Sequence, residues 1–398
     1  MAWQAAPGSP ASAPMPSLAT RLLLLLLSSL TVMAGATIAP SLPAMAEHFS
    51  TTPGVALLSR LVLTLPALLI AIAAYPSGWV IDRLGRKLPL LAGVLLYALA
   101  GSSGLVIDSL HAILVGRALL GLAVAMLLTA TTTLIGDLLP PGARERFLGF
   151  TASFMGFGGV VFLTMGGLLA ELGWRGPFAV YLLALPLLAW AATLPETGGR
   201  HAPALPGGPF PYVLAAVVYL TATLHMVIFY LIPVQIPFVL RQMQHASPSL
   251  AGLAIAASAL AGAAASLAYP LLLPRLGHRR IFSLGFSVMA LGGFVIGLAL
   301  SIGTLVLGLV IAGLGGGIVM PNYSAWLMAR TPPAARGRAM GGLIAAIFAG
   351  QFLSPLLAQP VILASGLPML FISGGTLALG LAALYTLERR PSPLRTDT

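Results

Sequence analysis

The chain has 398 residues, of which 58% are apolar and only 7% charged; its formal net charge is +11 and its mean hydropathy +0.99. So little polar surface cannot solvate a soluble protein of this size, and lipid is the solvent it implies. The absence of cysteine excludes a disulfide framework and a thiolate metal site, and the scatter of basic residues over short turns argues against a nucleic-acid-binding face.

Residues 1–18 are rich in Ala, Pro and Ser, lack the basic start of a secretory signal, and predict a disordered tail. A spanning helix needs about 20 mostly apolar residues. Twelve such segments follow, at 21–45, 54–79, 88–107, 110–138, 146–170, 176–194, 211–238, 249–273, 281–301, 303–329, 338–363 and 367–387. Between the sixth and seventh lies the longest polar break, containing Gly198-Gly199-Arg200 and Gly207-Gly208-Pro209. It predicts a cytoplasmic linker over 195–210, joining a bundle over 19–194 to one over 211–388, with a cytoplasmic tail over 389–398. With both termini cytoplasmic, 16 of the 20 basic residues face the cytoplasm, as the positive-inside rule requires. Arg175 and Arg241 fall on the other side, and Arg60 and Arg117 within spans.

After the second span the chain reads Gly78-Trp-Val-Ile-Asp82-Arg83-Leu-Gly85-Arg86-Lys87, and 192 positions later Pro274-Arg275-Leu276-Gly277-His278-Arg279 repeats its latter part. The same shift carries Pro140-Pro141 onto Pro332-Pro333, Arg144 onto Arg336, Arg146 onto Arg338, Gly149 onto Gly341 and Gly158 onto Gly350. One six-helix unit is present twice, the construction used by rocking transporters.

Twelve helices in a six-plus-six duplication, with this complete motif between the second and third, resemble the major facilitator superfamily over nearly the whole chain. The resemblance implies an all-α integral membrane fold of two pseudo-symmetric six-helix bundles. It also implies that the Asp82 carboxylate faces the start of the eleventh helix near Arg338, latching the halves in the outward-open state through helix-dipole and ion-pair attraction. Gly78, Arg83, Gly85, Arg86 and Lys87 complete that gate. The plainer alternative is a solvated acid that offsets Arg83.

In the fourth span, Arg117-Ala-Leu-Leu-Gly121 resembles the superfamily's second motif, linked to proton coupling. A charge at that depth faces a cavity or partner, or snorkels to the headgroups. In the fifth span Gly149, Gly158, Gly166 and Gly167 resemble the antiporter signature, with Phe162-Leu163 in place of its Gly-Pro pair. Glycines at this spacing let helices approach closely, and the kink-forming proline sits instead in the eleventh span, as Pro355. Pro40 and Pro43 near the end of the first span are echoed by Pro233 and Pro237 in the seventh, predicting matched bends.

The family fold would turn the first, fourth, seventh and tenth helices inward. Their polar side chains, Thr31, Thr37, Arg117, Thr129, Thr221, His225, Asn322, Tyr323 and Trp326, are therefore cavity candidates, with Gln351 either lining that space or bridging helices. His225 either titrates as a proton carrier or rests neutral against a neighbouring helix.

None of the nine acids lies clearly at mid-membrane. If protons are coupled, His225, Asp137 or Asp82 must take part; uncoupled facilitation also survives. Arg117 and Arg60, the fixed charges inside spans, lean the substrate toward neutral or anionic amphipathic compounds, although Arg60 could equally snorkel. The 14 methionines read as packing residues, since His225 and Met226 are adjacent and face different ways. No metal and no cofactor is expected beyond a proton gradient, and no catalytic constellation is legible. The expectation is a monomeric, multi-pass, inner-membrane multidrug or metabolite antiporter working by alternating access, with an importer, a receptor and a membrane enzyme as lesser readings.

Overall fold

The computed structural model describes residues 16–194, 210–244, 247–332 and 335–387. The expected tails and linker fall outside these residues, apart from 16–18 and 210. Among the described residues nine helices are long and apolar enough to cross a membrane. Two of these, Pro248–Gly297 and Arg336–Leu387, have 50 and 52 residues. At about 1.5 Å per residue each is far too long for one crossing of a hydrocarbon core about 30 Å thick. Each is broken by one glycine with positive φ, Gly277 (φ 71°, ψ 167°) and Gly366 (φ 81°, ψ 175°). With the shorter Gly176–Ala191, the passes number twelve.

We number them α1 (Leu18–His48), α2 (Val55–Leu84), α3 (Lys87–Ser102), α4 (Leu110–Leu138), α5 (Pro141–Ala170), α6 (Gly176–Ala191) and α7 (Tyr212–Gln242). The rest are α8 (248–276), α9 (278–297), α10 (Ile302–Arg330), α11 (336–365) and α12 (367–387). The expected turn after the second span is mostly helix: α2 runs through Asp82 and Arg83 to Leu84, and the reversal is confined to Gly85 (φ 81°) and Arg86. Gly85 and Gly277, matched by the duplication, share one backbone conformation that a side chain would strain.

The proline-marked bends are real breaks. α1 stops at Ala36, passes through a 3₁₀ turn at Ala39–Ser41 around Pro40, and resumes at Leu42. α7 breaks at Tyr230, between Tyr212–Phe229 and Leu231–Gln242.

Across the halves, α5 packs along the 248–297 segment and α2 along the 336–387 segment. One apolar core fills the first bundle and continues into α7 at Leu231, Val234 and Ile236 and into α8 at Ala251 and Ile255. A second, separate core fills the rest of the second bundle around Phe282, Phe286, Tyr323 and Leu327. The two bundles therefore share a core at one end only. That end lies away from the turns carrying Arg83, Arg86, Lys87, Arg144, Arg275, Arg279, Arg280 and Arg336, which define the basic end.

Within the second bundle α8 and α10 nearly touch backbone to backbone: a Cβ on Gly317 would lie 2.0 Å from the Gly262 carbonyl oxygen. Gly317→Leu is expected to destabilise by at least the ~1–3 kcal/mol usual for overpacking, lowering the thermal unfolding midpoint in detergent. Gly380→Ala, where a Cβ meets nothing within 4 Å, should leave the midpoint unchanged.

Candidate functional site

Arg117 is fully buried in the first bundle. Its Nε donates to the Val62 carbonyl at 2.7 Å, one terminal nitrogen to the Tyr181 hydroxyl at 2.9 Å, and the other to the Ala34 carbonyl at 2.5 Å. Both carbonyls are left open by the local sequence. Val62 stands four residues before Pro66, which has no N–H to offer, and Ala34 is among the last carbonyls of the α1 piece ending at Ala36. Tyr181 also donates to Ala34 at 2.9 Å, and Tyr97 donates to Leu30 at 2.7 Å. Arg117 therefore ties α1, α2, α4 and α6 together and neither snorkels nor faces the space between the bundles. Gly121, one turn on, fits against Pro66, whose carbonyl oxygen would lie 2.4 Å from an added Cβ.

The polar contacts described between the bundles lie toward the end opposite the basic turns. Arg60 of α2 is buried there, its Nε donating to Gln235 Oε1 of α7 at 2.8 Å and its guanidinium 4.2 Å from the Phe238 ring centre. A second guanidinium nitrogen donates to the Ala56 carbonyl. Snorkelling, one of the two expectations for Arg60, is thus excluded. Arg241 of α7 reaches Glu47 at 2.6 Å and the Pro43 carbonyl at 2.9 Å. One oxygen of Glu171, at the end of α5, accepts from the Ser247 hydroxyl at 2.7 Å and from the Ser249 hydroxyl and N–H at 2.7 and 3.1 Å.

Glycines set the backbone spacing at this seam: a Cβ on Gly167 would lie 2.9 Å from the Pro248 carbonyl, and one on Gly35 3.0 Å from the Tyr230 hydroxyl. Gly166 is equally tight inside the first bundle, 2.1 Å from the Thr37 carbonyl, while Gly158 makes only ordinary contacts. Beside the seam, Asp108 accepts from Arg175 at 2.8 Å and pairs with His48 at 2.8 Å. The hydrogen bond from His48, helped by Arg175, lowers the Asp108 carboxyl below its ordinary range. The Ser249 and Ser247 hydrogen bonds do the same for Glu171.

At the basic end the gate residues stand apart. Asp82, Arg83 and Arg338 are exposed, and among the described residues Asp82 has neither an ion pair nor a side-chain hydrogen bond. Arg83 stacks on Trp79 at 3.8 Å, and Arg338 lies 5.2 Å from the Phe210 ring centre. The implied contact between Asp82 and Arg338 is therefore not made in this conformation. Gly78, Gly149 and Gly341 have nothing within 4 Å of an added Cβ, so the helix packing expected of Gly78 and Gly149 is not in use. Arg86 is instead buried, its Nε donating to Asp137 of α4 at 3.0 Å. Lys87 starts α3. Arg144 and Arg336, matched by the duplication, donate to the carbonyls of Gly136 and Thr331 near the ends of the helices before them.

The cavity candidates divide. On α1, residues 28, 31 and 35 share one face, and since Gly35 meets Tyr230 of the other bundle, Thr31 lies on the face turned toward the seam. Its hydroxyl donates to the Ser28 carbonyl at 2.7 Å. Thr129 and Gln351 are half-buried; Thr129 donates to its own helix at 2.8 Å, and Gln351 bridges no helices through a hydrogen bond among the described residues. The others belong to bundle interiors rather than a cavity. Thr37 is fully buried and bonds to Met33, while Thr221 bonds to Tyr385 at 2.6 Å. His225 packs against Phe229, Phe286 and Tyr323 with neither ring nitrogen partnered.

Asn322 accepts from Tyr269 at 3.2 Å, pairs with His278 Nδ1 at 2.8 Å, and donates to the His278 carbonyl at 2.9 Å, fixing the α8–α9 reversal. Trp326 stacks on His278 with centroids 6.1 Å apart. The apolar cores claim these polar groups because α7 and α10 place them on faces covered by α9, α11 and α12. The face of α7 left uncovered is apolar, with Val213, Val217 and Leu220 exposed. Pro355 lies inside α11, and the neighbouring Ser354 donates to the Val227 carbonyl just before the α7 break at 2.8 Å.

The Major Facilitator Superfamily model matches residues 24–235 and again 218–398, one match to each bundle. The chain belongs to that superfamily. The transporter fold is also seen in the D-xylose-proton symporter structure (18% identity, TM-score 0.76, covering 94% of this chain and 98% of that one). A bacterial homolog of the human lysosomal transporter Spinster gives 18% identity and a TM-score of 0.76, over 92% and 96% of the two chains.

Curated relatives match over shorter stretches. "Probable anion transporter 4, chloroplastic" of Arabidopsis thaliana is 30% identical over 135 residues, 33% of this chain and 25% of that protein. "Quinolone resistance protein NorA" of Staphylococcus aureus is 25% identical over 118 residues, 30% of each. The matched stretch is thus under a third of either relative's length. This superfamily member is a multi-pass membrane protein with the transporter fold.

Sequence reasoning missed Gln235, Tyr230, Tyr181 and the Glu47–Arg241 pair. Pro66 was the available signal for Arg117, since it frees a carbonyl four residues earlier. In this transporter, which lacks native cysteine, Glu47→Cys with Arg241→Cys should cross-link in the present conformation, and Asp82→Cys with Arg338→Cys only once the seam opens. The yields, read by gel shift, should move in opposite directions on adding substrate. The stabilisation carried by the lowered Glu171 carboxyl is present above the ordinary value of about 4.3 and is lost as pH falls through its folded value. The thermal midpoint of wild type should therefore drop more steeply than that of Glu171→Gln between about pH 5 and 3.

Proposed function

We propose that this chain exports small amphipathic, neutral or anionic compounds by alternating access, driven by a proton gradient, as a monomer in the cell's inner membrane. The observation that carries the reading is the one-sided seam: the bundles are joined at one end by Arg60, Arg241, Glu171 and Gly167, and parted at the other, where Asp82 and Arg338 stand exposed. Taking the basic end as cytoplasmic, with both termini on that side, this is a conformation open to the cell interior. The apolar α7 face and the self-satisfied hydroxyl of Thr31 suit an apolar body with few polar groups. The names of the two relatives, one a quinolone resistance protein and one a probable anion transporter, agree with that substrate range.

For the proton, Asp137 is the residue we assign. Of the four coupling candidates, Arg117 is enclosed by carbonyls, His225 by aromatic rings, and Asp82 stands exposed with no partner among the described residues, whereas the Asp137 side chain is 30% exposed. It holds Arg86 in the turn next to the gate, so its protonation would release that turn. Uncoupled facilitation is the second reading, favoured by the lack of any acid bordering the α7 face among the described residues.

Flux of a labelled neutral amphipath in proteoliposomes should rise several-fold under an imposed pH gradient. Asp137→Asn should lose that rise while keeping exchange at equal pH. Gradient-independent flux by wild type would remove the coupling, and no flux for a broad panel would remove the transporter reading for these compounds.

A further inference from the structure

The two arginines buried within spans, Arg60 and Arg117, both lack a carboxylate partner among the described residues. They differ in what happens to them when the bundles part. All three partners of Arg117 belong to its own bundle and travel with it. Arg60 instead shares its charge with the other bundle, through Gln235 Oε1 at 2.8 Å and the Phe238 ring at 4.2 Å. Opening the opposite end removes both and leaves a guanidinium, bonded only to the Ala56 carbonyl, facing the gap.

Gln235 is fully buried, and its Nε2 has no hydrogen-bond partner. A buried amide donor without an acceptor is costly, and it sits beside a cation without a counter-ion. Two sets of donors and an aromatic wall thus converge on one place, where the acceptors supplied among the described residues, the Gln235 amide oxygen and the Ala56 carbonyl, are both neutral.

We propose that Arg60 and Gln235 form a binding site for the head group of an anionic substrate, a carboxylate on an aromatic or aliphatic body, with Phe238 against that body. The proposal rests on the export reading above. Gln235 Oε1 holds the place of a carboxylate oxygen in the closed seam. A carboxylate brings a full opposite charge to the guanidinium and can accept two of its N–H groups at once, so it displaces the amide where a neutral group would only match it. While the anion is bound, Gln235 cannot return to Arg60 and the opposite end cannot re-close; release therefore precedes the return.

The test uses full-length protein with 1-naphthoate and its neutral counterpart 1-naphthamide, measuring equilibrium binding in detergent and flux in proteoliposomes. Arg60→Gln should lower naphthoate binding at least tenfold, and should lower the ratio of naphthoate flux to naphthamide flux at least tenfold, a readout that loss of the seam contact alone would not move. Arg60→Lys should retain part of the naphthoate binding. Gln235→Glu, which gives Arg60 a built-in counter-ion, should abolish naphthoate binding while the protein remains folded.

Wild-type naphthoate binding that survives Arg60→Gln within twofold overturns the site, as does equal loss of both probes, which would mark Arg60 as a lock alone. Wild type that moves naphthamide but does not bind naphthoate overturns the site and leaves the export reading standing. Naphthoate binding that depends on Arg60 without flux of either probe supports the site and overturns export of these compounds.

Discussion

A proline in α2 and a break in α1 expose two carbonyl oxygens inside a lipid-embedded bundle, and Arg117 answers both. A charge at such depth costs at least about 2.5 kcal/mol on insertion scales, while a hydrogen bond to a charged group contributes about 1.5–3 kcal/mol. Three such bonds offset that cost, and the arginine becomes the tie among α1, α2, α4 and α6. The first bundle can then rock as one body, because its bent helices are held by contacts that no motion between the bundles disturbs. The second bundle answers its own break differently, with Ser354 of α11 bonded to Val227, so the duplicated architecture is kept while its chemistry has diverged.

The seam is held by interactions of another kind. Arg241 with Glu47, and Glu171 with two serines, are largely exposed contacts, each of modest strength. Arg60 with Gln235 is buried but lacks a counter-ion. A closure built this way holds the opposite end shut without making its opening prohibitive, which alternating access requires. Two states within a few kcal/mol can be rebalanced by differential binding of one substrate.

The duplication was the most legible feature of the sequence, and it reaches as far as torsion angles. Gly85 and Gly277 turn the chain alike, and Arg144 and Arg336 seek the ends of matched helices. Span count and the bends at Pro40 and near Pro233 were also readable, because hydropathy and missing N–H groups are properties of the chain itself. Side-chain direction was not. His225, Asn322, Tyr323 and Trp326 lie on helices expected to turn inward, yet rotation about the helix axis sends them into the second bundle, where aromatic neighbours from α9 and α12 surround most of them. Arg60 carried no mark of its partner, an amide 175 residues away, and Arg117 only the indirect one of Pro66, which frees the Val62 carbonyl.

The idle glycines at the basic end bear on how this protein would be judged by its stability. Gly78, Gly149, Gly337 and Gly341 have open space around them, so a larger residue at any of them meets no steric objection here. A screen for thermal tolerance in this conformation would pass such variants as neutral. Under the alternating-access reading proposed above, selection acting on turnover would weigh them also against a conformer in which the basic end closes, where that room would be taken up. A measurement made on one shape of such a protein is then blind to what its sequence encodes for the other.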